Sequence, residues 1–167
     1  MLEKESPYIT NQYRLADVLA AIQVMGTYRF SGRTVEAWSE LLGKHPRSAD
    51  TWLSVFQEHP EFFRVEGSAG YQTLVLRRSQ PRVYDTTADS EISRTEFSQL
   101  PQNRRSHISR KPLLPEQILA LADLAVKLHS QALERRRELR WWMIALVTTA
   151  SSFVGALVAA TVKVQSN

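Results

Sequence analysis

The sequence contains no cysteine. That excludes disulfides, thiolate zinc sites and a cysteine nucleophile, and it fits a reducing compartment. Glycine is scarce, six in 167 residues, and none of the six forms a phosphate-cradling loop; the G-x-S-x-G elbow of a serine hydrolase is missing too. Four histidines, His45, His59, His107 and His129, show no ligand spacing. The start, Met1-Leu2-Glu3-Lys4-Glu5-Ser6-Pro7, is polar and lacks the apolar core of a cleaved signal peptide. There is no internal repeat. With no catalytic, metal or cofactor constellation to name, the expectation is a protein that is not an enzyme and carries no cofactor.

Charge is missing from one place in particular. From Trp141 to Val162 there is no Asp, Glu, Lys or Arg. Twenty-two residues as a helix extend about 33 Å, enough for a hydrocarbon core of about 30 Å. Trp141 and Trp142 stand at its edge, where an apolar ring with a polar N–H suits the headgroup layer. Arg135, Arg136, Arg137 and Arg140 precede the run and only Lys163 follows it. The excess of cations on the N-terminal side places that side in the cytoplasm. The expectation is a single-pass, tail-anchored membrane protein, with its N-terminus inside, residues 141–162 in the bilayer and residues 163–167 as a short tail outside. Ser151, Gly155 and Ala159 form a small-residue stripe that suits close helix approach, and so a homodimer.

The formal net charge of +4 invites a nucleic-acid reading. Residues 1–80, however, hold nine Lys/Arg and nine Asp/Glu. The excess lies further on, where it serves topology and anionic lipid.

Leu15, Val18, Leu19, Ile22 and Met25 fall at helical spacing, with Gly26 as the expected C-cap. Thr27-Tyr28-Arg29-Phe30 reads as a short strand. A second helix carries Val35, Trp38, Leu41 and Leu42 and stops at Gly43; a third, capped by Ser48, carries Trp52, Val55 and Phe56 and ends at His59-Pro60. Residues 62–66 and 71–76 read as a hairpin. Helix, strand, helix, helix, hairpin is the order of a winged helix, so an α+β, winged-helix-like domain is expected over 8–79. A polar linker (80–112) follows, in which Ser93-Arg94-Thr95-Glu96 is a capping box for one helical turn. A juxtamembrane helix (113–140) opens at Pro115, carries Ile118, Leu121, Ala125, Leu128, Ala132 and Leu139 on one seam, and runs on into the span.

Two constellations are set aside on the residues themselves. Asp85, Asp89 and Glu96 fit positions one, five and twelve of a calcium loop, but Thr87 and Ser90 occupy places that need a ligand and a glycine. The third helix would enter a DNA groove with Asp50 and Glu58 on its outer face, the wrong sign for phosphate.

The run Leu15-Ala16-Asp17-Val18-Leu19-Ala20-Ala21-Ile22-Gln23-Val24-Met25-Gly26-Thr27-Tyr28 resembles a family of uncharacterised bacterial single-pass membrane proteins. So do Glu58-His59-Pro60-Glu61-Phe62-Phe63-Arg64, Arg110-Lys111-Pro112-Leu113 and the arginines before Trp141. The resemblance implies a bacterial inner membrane and brings no catalytic residue. Some members bear an amidohydrolase-type description, but the His/Asp/Glu metal clusters of such enzymes are absent from this sequence. The expected function is a small cytoplasmic protein-interaction domain held at the bilayer, with a protein partner and no nucleic acid. The alternatives are a membrane-anchored nucleic-acid regulator and a membrane-perturbing effector with a sensor domain.

Overall fold

The computed structural model describes the backbone of residues 6–66 and 70–165, and side chains as far as Trp142. The chain divides into two units between His129 and Ser130.

The first unit begins with α1 (Pro7–Thr10) and α2 (Arg14–Thr27). Val18, Ala21, Ile22 and Met25 of α2 are fully buried, as their helical spacing requires, each large side chain contributing about 1.5–3 kcal/mol by leaving water. Gly26 does not cap this helix; it lies within it, and the backbone N–H of Tyr28 closes the end on Val24. The glycine is there for room, since a Cβ at position 26 would stand 3.1 Å from Cγ1 of Ile118.

The expected strand over 27–30 forms instead at β1 (Gly32–Arg33). Then comes α3 (Val35–Leu42), capped by the Thr34 hydroxyl and ended by Gly43 at φ 103°, a backbone region that favours glycine. The next helix, α4 (Trp52–Glu58), is capped by Thr51 rather than Ser48. Ser48 is buried, and its N–H donates to Asp17 Oδ2 at 2.7 Å. Arg14 donates to the Ser48 carbonyl at 3.2 Å and pairs with Glu58 at 2.6 Å. Asp17 and Arg14 are thus buried with partners, the condition for charges inside a protein, and they tie the loop before α4 to α2.

The hairpin is β2 (Phe63–Glu66) and β3 (Tyr71–Leu74), with Gly70 at φ 68° beside the turn. β1 pairs with β3, so the antiparallel sheet runs β1-β3-β2 and β1 is an edge. Trp38 donates its indole N–H to the Gln72 carbonyl at 2.8 Å, and Trp52 donates to Gly43 at 2.7 Å. Trp38, Trp52, Phe56 and Phe63 are all buried, as the sequence spacing indicated. The chain does not stay extended to residue 76; it turns into α5 (Val75–Arg78).

Residues 80–112, expected to be a polar linker, carry regular structure. Strands β4 (Tyr84–Asp85) and β5 (Ser90–Glu91), helices α6 (Arg94–Gln99) and α7 (Gln102–Arg105), and strand β6 (Ile108–Ser109) follow in order. The strands form a second antiparallel sheet in the order β5-β4-β6. The capping box of Ser93 and Glu96 is present at the start of α6. Few apolar residues hold this region. It is bound by polar contacts: Ser31 N–H to Ser109 Oγ at 2.9 Å, Arg82 to the Ile108 and Arg105 carbonyls at 2.6 and 3.1 Å, and Thr86 to His107.

Arg77 is the centre of that attachment. Fully buried, it donates to the carbonyls of Met25 (2.8 Å), Tyr28 (2.6 Å), Phe30 (3.3 Å) and Arg110 (2.6 Å). The first of these lies in the last turn of α2, where unsatisfied carbonyls favour a cation. Burial, with Arg110 nearby, lowers its pKa to about 10, so it is charged at neutral pH.

Helix α8 (Pro115–Gln165) is one unbroken helix of 51 residues. Proline at its first position costs no hydrogen bond. Within the first unit Ile118 and Ala125 are buried, and Leu113 N–H donates to the Gly26 carbonyl at 2.9 Å. In the second unit, Arg135, Arg136, Arg137, Leu139, Arg140, Trp141 and Trp142 are exposed. Leu139, placed on the expected seam, is 63% exposed. Among the described residues no helix is long and apolar enough to cross a membrane. The side chains of 143–162, which make up nearly all of the expected span, and with them Ser151, Gly155 and Ala159, lie outside the described residues.

Candidate functional site

The two small sheets meet at their edges, β1 from one and β6 from the other, at the hydrogen bond from Ser31 to Ser109. Beside this contact lies a groove of about 750 Å³, within the range of protein ligand sites. Phe30, Arg33 and Thr34 line it from the β1 side, Glu66 and Tyr71 from the hairpin, and Arg82, Ser106, Ser109 and Arg110 from the second sheet.

Backbone carbonyls set the directions of its three arginines. Arg33 donates to the Ala37 carbonyl at 3.1 Å and lies 5.2 Å from the centre of the Tyr28 ring. Arg82 is fixed by the Ile108 and Arg105 carbonyls. Arg110 donates to the Gln80 carbonyl and forms a two-pronged pair with Glu66, at 2.7 and 3.1 Å. Among the described residues, Glu66 is the only carboxylate in the lining, and it is committed to Arg110. Among the described residues, Arg33 and Arg82 form no ion pair. Carbonyl oxygens orient a guanidinium without cancelling its charge, so the groove has a net positive field and unused N–H donors.

A second polar cluster joins buried rings to a carboxylate at the surface: Glu61 is exposed. His59 is fully buried. Its Nδ1 and the Tyr8 hydroxyl reach the same Glu61 oxygen, at 3.0 and 3.1 Å. Tyr8 also lies edge-on to His129, with ring centroids 6.1 Å apart. Nε2 of His59 and Nδ1 of His129 are buried and make no hydrogen bond among the described residues. Burial pushes the Glu61 carboxyl up, but hydrogen bonds from His59, its own N–H and Tyr8 outweigh this and hold it below its usual value. The cluster ties α1, the end of α4 and α8 together, with the Glu61 side chain 32% exposed at its rim. Sequence spacing could not bring together residues 8, 59, 61 and 129.

The segment that half matches a calcium loop, set aside on its residues, is a hairpin turn leading into the Ser93 cap. Asp85 is buried, and one carboxylate oxygen accepts hydrogen bonds from the Thr87 hydroxyl and from the N–H groups of Thr87 and Ala88; the other accepts from Arg104. Asp89 accepts from the Tyr84 hydroxyl. These carboxylates are used up inside the turn, and among the described residues no group of three His, Asp or Glu is placed to hold a metal. On α4, Leu53, Gln57 and Glu58 face outward, and Glu58 is taken by Arg14. Arg33 lines the groove. Sequence reasoning missed the groove because its cations come from three separate segments, two of them in the stretch read as a linker.

Comparison with protein-family models, with curated proteins and with solved structures gives no match.

Proposed function

We propose that this chain is a membrane-tethered protein-interaction module. A winged-helix-like domain is presented at the cytoplasmic face and anchored through the apolar end of α8. The observation that carries the reading is the groove: concave, positively charged, with its arginines oriented before any partner arrives. Pre-orientation reduces the entropy lost on binding, which suits a recognition site.

The winged-helix likeness rests on the order α2-β1-α3-α4-β2-β3 and on the sheet order β1-β3-β2. The anchor rests on the uncharged run 141–162 and the arginines before it. Nucleic acid is the weaker reading, because the outer face of α4 bears Glu58 and because the cations of residues 1–80 are matched by anions. A homodimer through the stripe of Ser151, Gly155 and Ala159 is compatible with tethering and adds avidity to a modest site.

Three measurements test this. A reporter active only in the cytoplasm should work when fused before residue 1 and fail after Asn167; the reverse pattern sinks the topology. Crosslinked recovery from native membranes should yield a protein bound to the soluble part. Anisotropy at about 150 mM salt should show no tight, salt-sensitive binding of duplex or single strands; micromolar or tighter binding would put the nucleic-acid regulator in its place.

A further inference from the structure

We propose that the groove takes an extended acidic segment of a partner protein, its carboxylates received by Arg33 and Arg82. The inference rests on the interaction-module reading and adds the chemistry of the partner.

Charge is the first reason. Of the three guanidiniums in the lining, one is neutralised by Glu66 and two are not. Both are held by backbone carbonyls, so each presents a planar set of donors in a fixed direction, the geometry that favours carboxylate recognition by arginine. An arrangement that orients two cations and leaves them unpaired lowers the ordering loss when an anion binds.

Shape is the second. The groove is lined by Phe30, Gly32 and Arg33 on one side and by Arg82, Ser109 and Arg110 on the other, a cleft in which a short chain can lie extended. Tyr71, 45% exposed, gives an apolar wall for the residues between the acids. Successive side chains of an extended segment alternate in direction, so every second residue can face the arginines.

The same features disfavour a nucleic-acid strand. Phosphate tracking needs a row of cations, whereas Glu66 stands in the wall and would face the backbone of the strand. A groove of about 750 Å³ suits a few residues of peptide.

The test uses the full chain in non-ionic detergent and a fluorescein-labelled peptide of about ten residues, alternating Glu with Thr, read by anisotropy. Saturable binding that weakens with added salt is expected, and the peptide with Gln for every Glu should not bind. Losing one charge-assisted contact of about 1.5 kcal/mol predicts that Arg33→Gln weakens binding about tenfold. Glu66→Gln should do the opposite and tighten binding severalfold, because it frees Arg110; a damaged fold cannot produce a gain. Equal binding of the Gln peptide, or no change in either variant, overturns the proposal. So does displacement of the peptide by pyrophosphate or a short oligonucleotide at lower concentration than the unlabelled peptide needs. The broader reading is separable: if crosslinking in membranes recovers a partner equally well with Arg33→Gln, the module stands and its acidic groove ligand does not.

Discussion

Tyr8 and His59 stand with ring centroids 4.5 Å apart and share one carboxylate oxygen of Glu61 as acceptor. The pair joins the start of the chain to the end of α4. Burial raises the Tyr8 pKa well above that of a free phenol, and the negative Glu61 adds to this. A group whose pKa is raised by folding contributes stability that is complete below its unfolded pKa, about 10, and is lost as pH rises beyond it. The unfolding midpoint of the full chain in detergent should therefore fall steeply above about pH 10. Tyr8→Phe should lower stability by about 1–2 kcal/mol at neutral pH, the value of a hydrogen bond to a charged acceptor, and should flatten the alkaline fall. An unchanged alkaline slope would mean that another group sets it.

Arg77→Met should be the most damaging single change outside the aromatic core. It removes the donor to four carbonyls, three of them flanking the end of α2. Buried acceptors without partners cost about 1–3 kcal/mol each, and partial access to water brings the expected loss to about 3–5 kcal/mol. Arg77→Lys should rescue only part, because an ammonium has three donors and no fork. Denaturant titration with unchanged slope gives the measure; a loss below about 1 kcal/mol would show the carbonyls find other donors.

Position 26 gives a test by sign. Alanine is favoured over glycine within a helix by about 1 kcal/mol, yet its Cβ would press on Ile118 at 3.1 and 3.3 Å. Gly26→Ala should destabilise the native chain by about 1 kcal/mol through overpacking. In an Ile118→Ala background, where those atoms are gone, the same substitution should stabilise by about 1 kcal/mol. The same sign in both backgrounds would mean that the α2–α8 contact is looser than the structure has it.

Much of the first unit was legible from residue spacing, and the exceptions have physical causes. Thr34 and Gly43 bound α3, and Trp38, Trp52, Phe56 and Phe63 fill the core as expected, since helical periodicity and large aromatics report burial directly. Gly26 was misread as a cap because glycine serves both helix ends and close packing, and only the presence of Ile118, 92 positions away by residue number, separates the two. Ser48 was misread because a buried Asp17 claims its N–H. The second sheet was missed because it is held by arginine and hydroxyl contacts to carbonyls, which leave no hydrophobic pattern. The groove shared that fate. Its cations, Arg33, Arg82 and Arg110, are unremarkable one by one.

Acid should loosen the second sheet through Asp85. Hydrogen bonds from the Thr87 hydroxyl and N–H hold its carboxyl below the usual value, against the opposing effect of burial and with help from Ala88 N–H and Arg104. A group whose pKa is depressed by folding stabilises fully above its unfolded pKa, about 3.9, and loses that contribution as pH falls through the folded value. Protection of the Thr87 and Ala88 amides, relative to their intrinsic exchange at each pH, should fall below about pH 4 in the native chain. In Asp85→Asn that protection should be lower at neutral pH and nearly constant across the acid range. Equal acid dependence in both would assign the effect to other carboxylates.

Synthesis runs from the N-terminus, and the fold does not respect that order. Arg77 leaves the ribosome with three of its carbonyls already made, but the fourth lies 33 residues further on. Gly26 waits still longer for the isoleucine that covers it. The helices and hairpin of residues 7–78 therefore emerge with a buried cation incompletely bound and an apolar surface open, and they can close only once the start of α8 has been translated. When that happens, the run 141–162 is next to be made. The isoleucine that completes the domain and the most apolar stretch of the chain thus lie within a few tens of residues of each other, so closing of the domain and delivery of its apolar end fall together in synthesis.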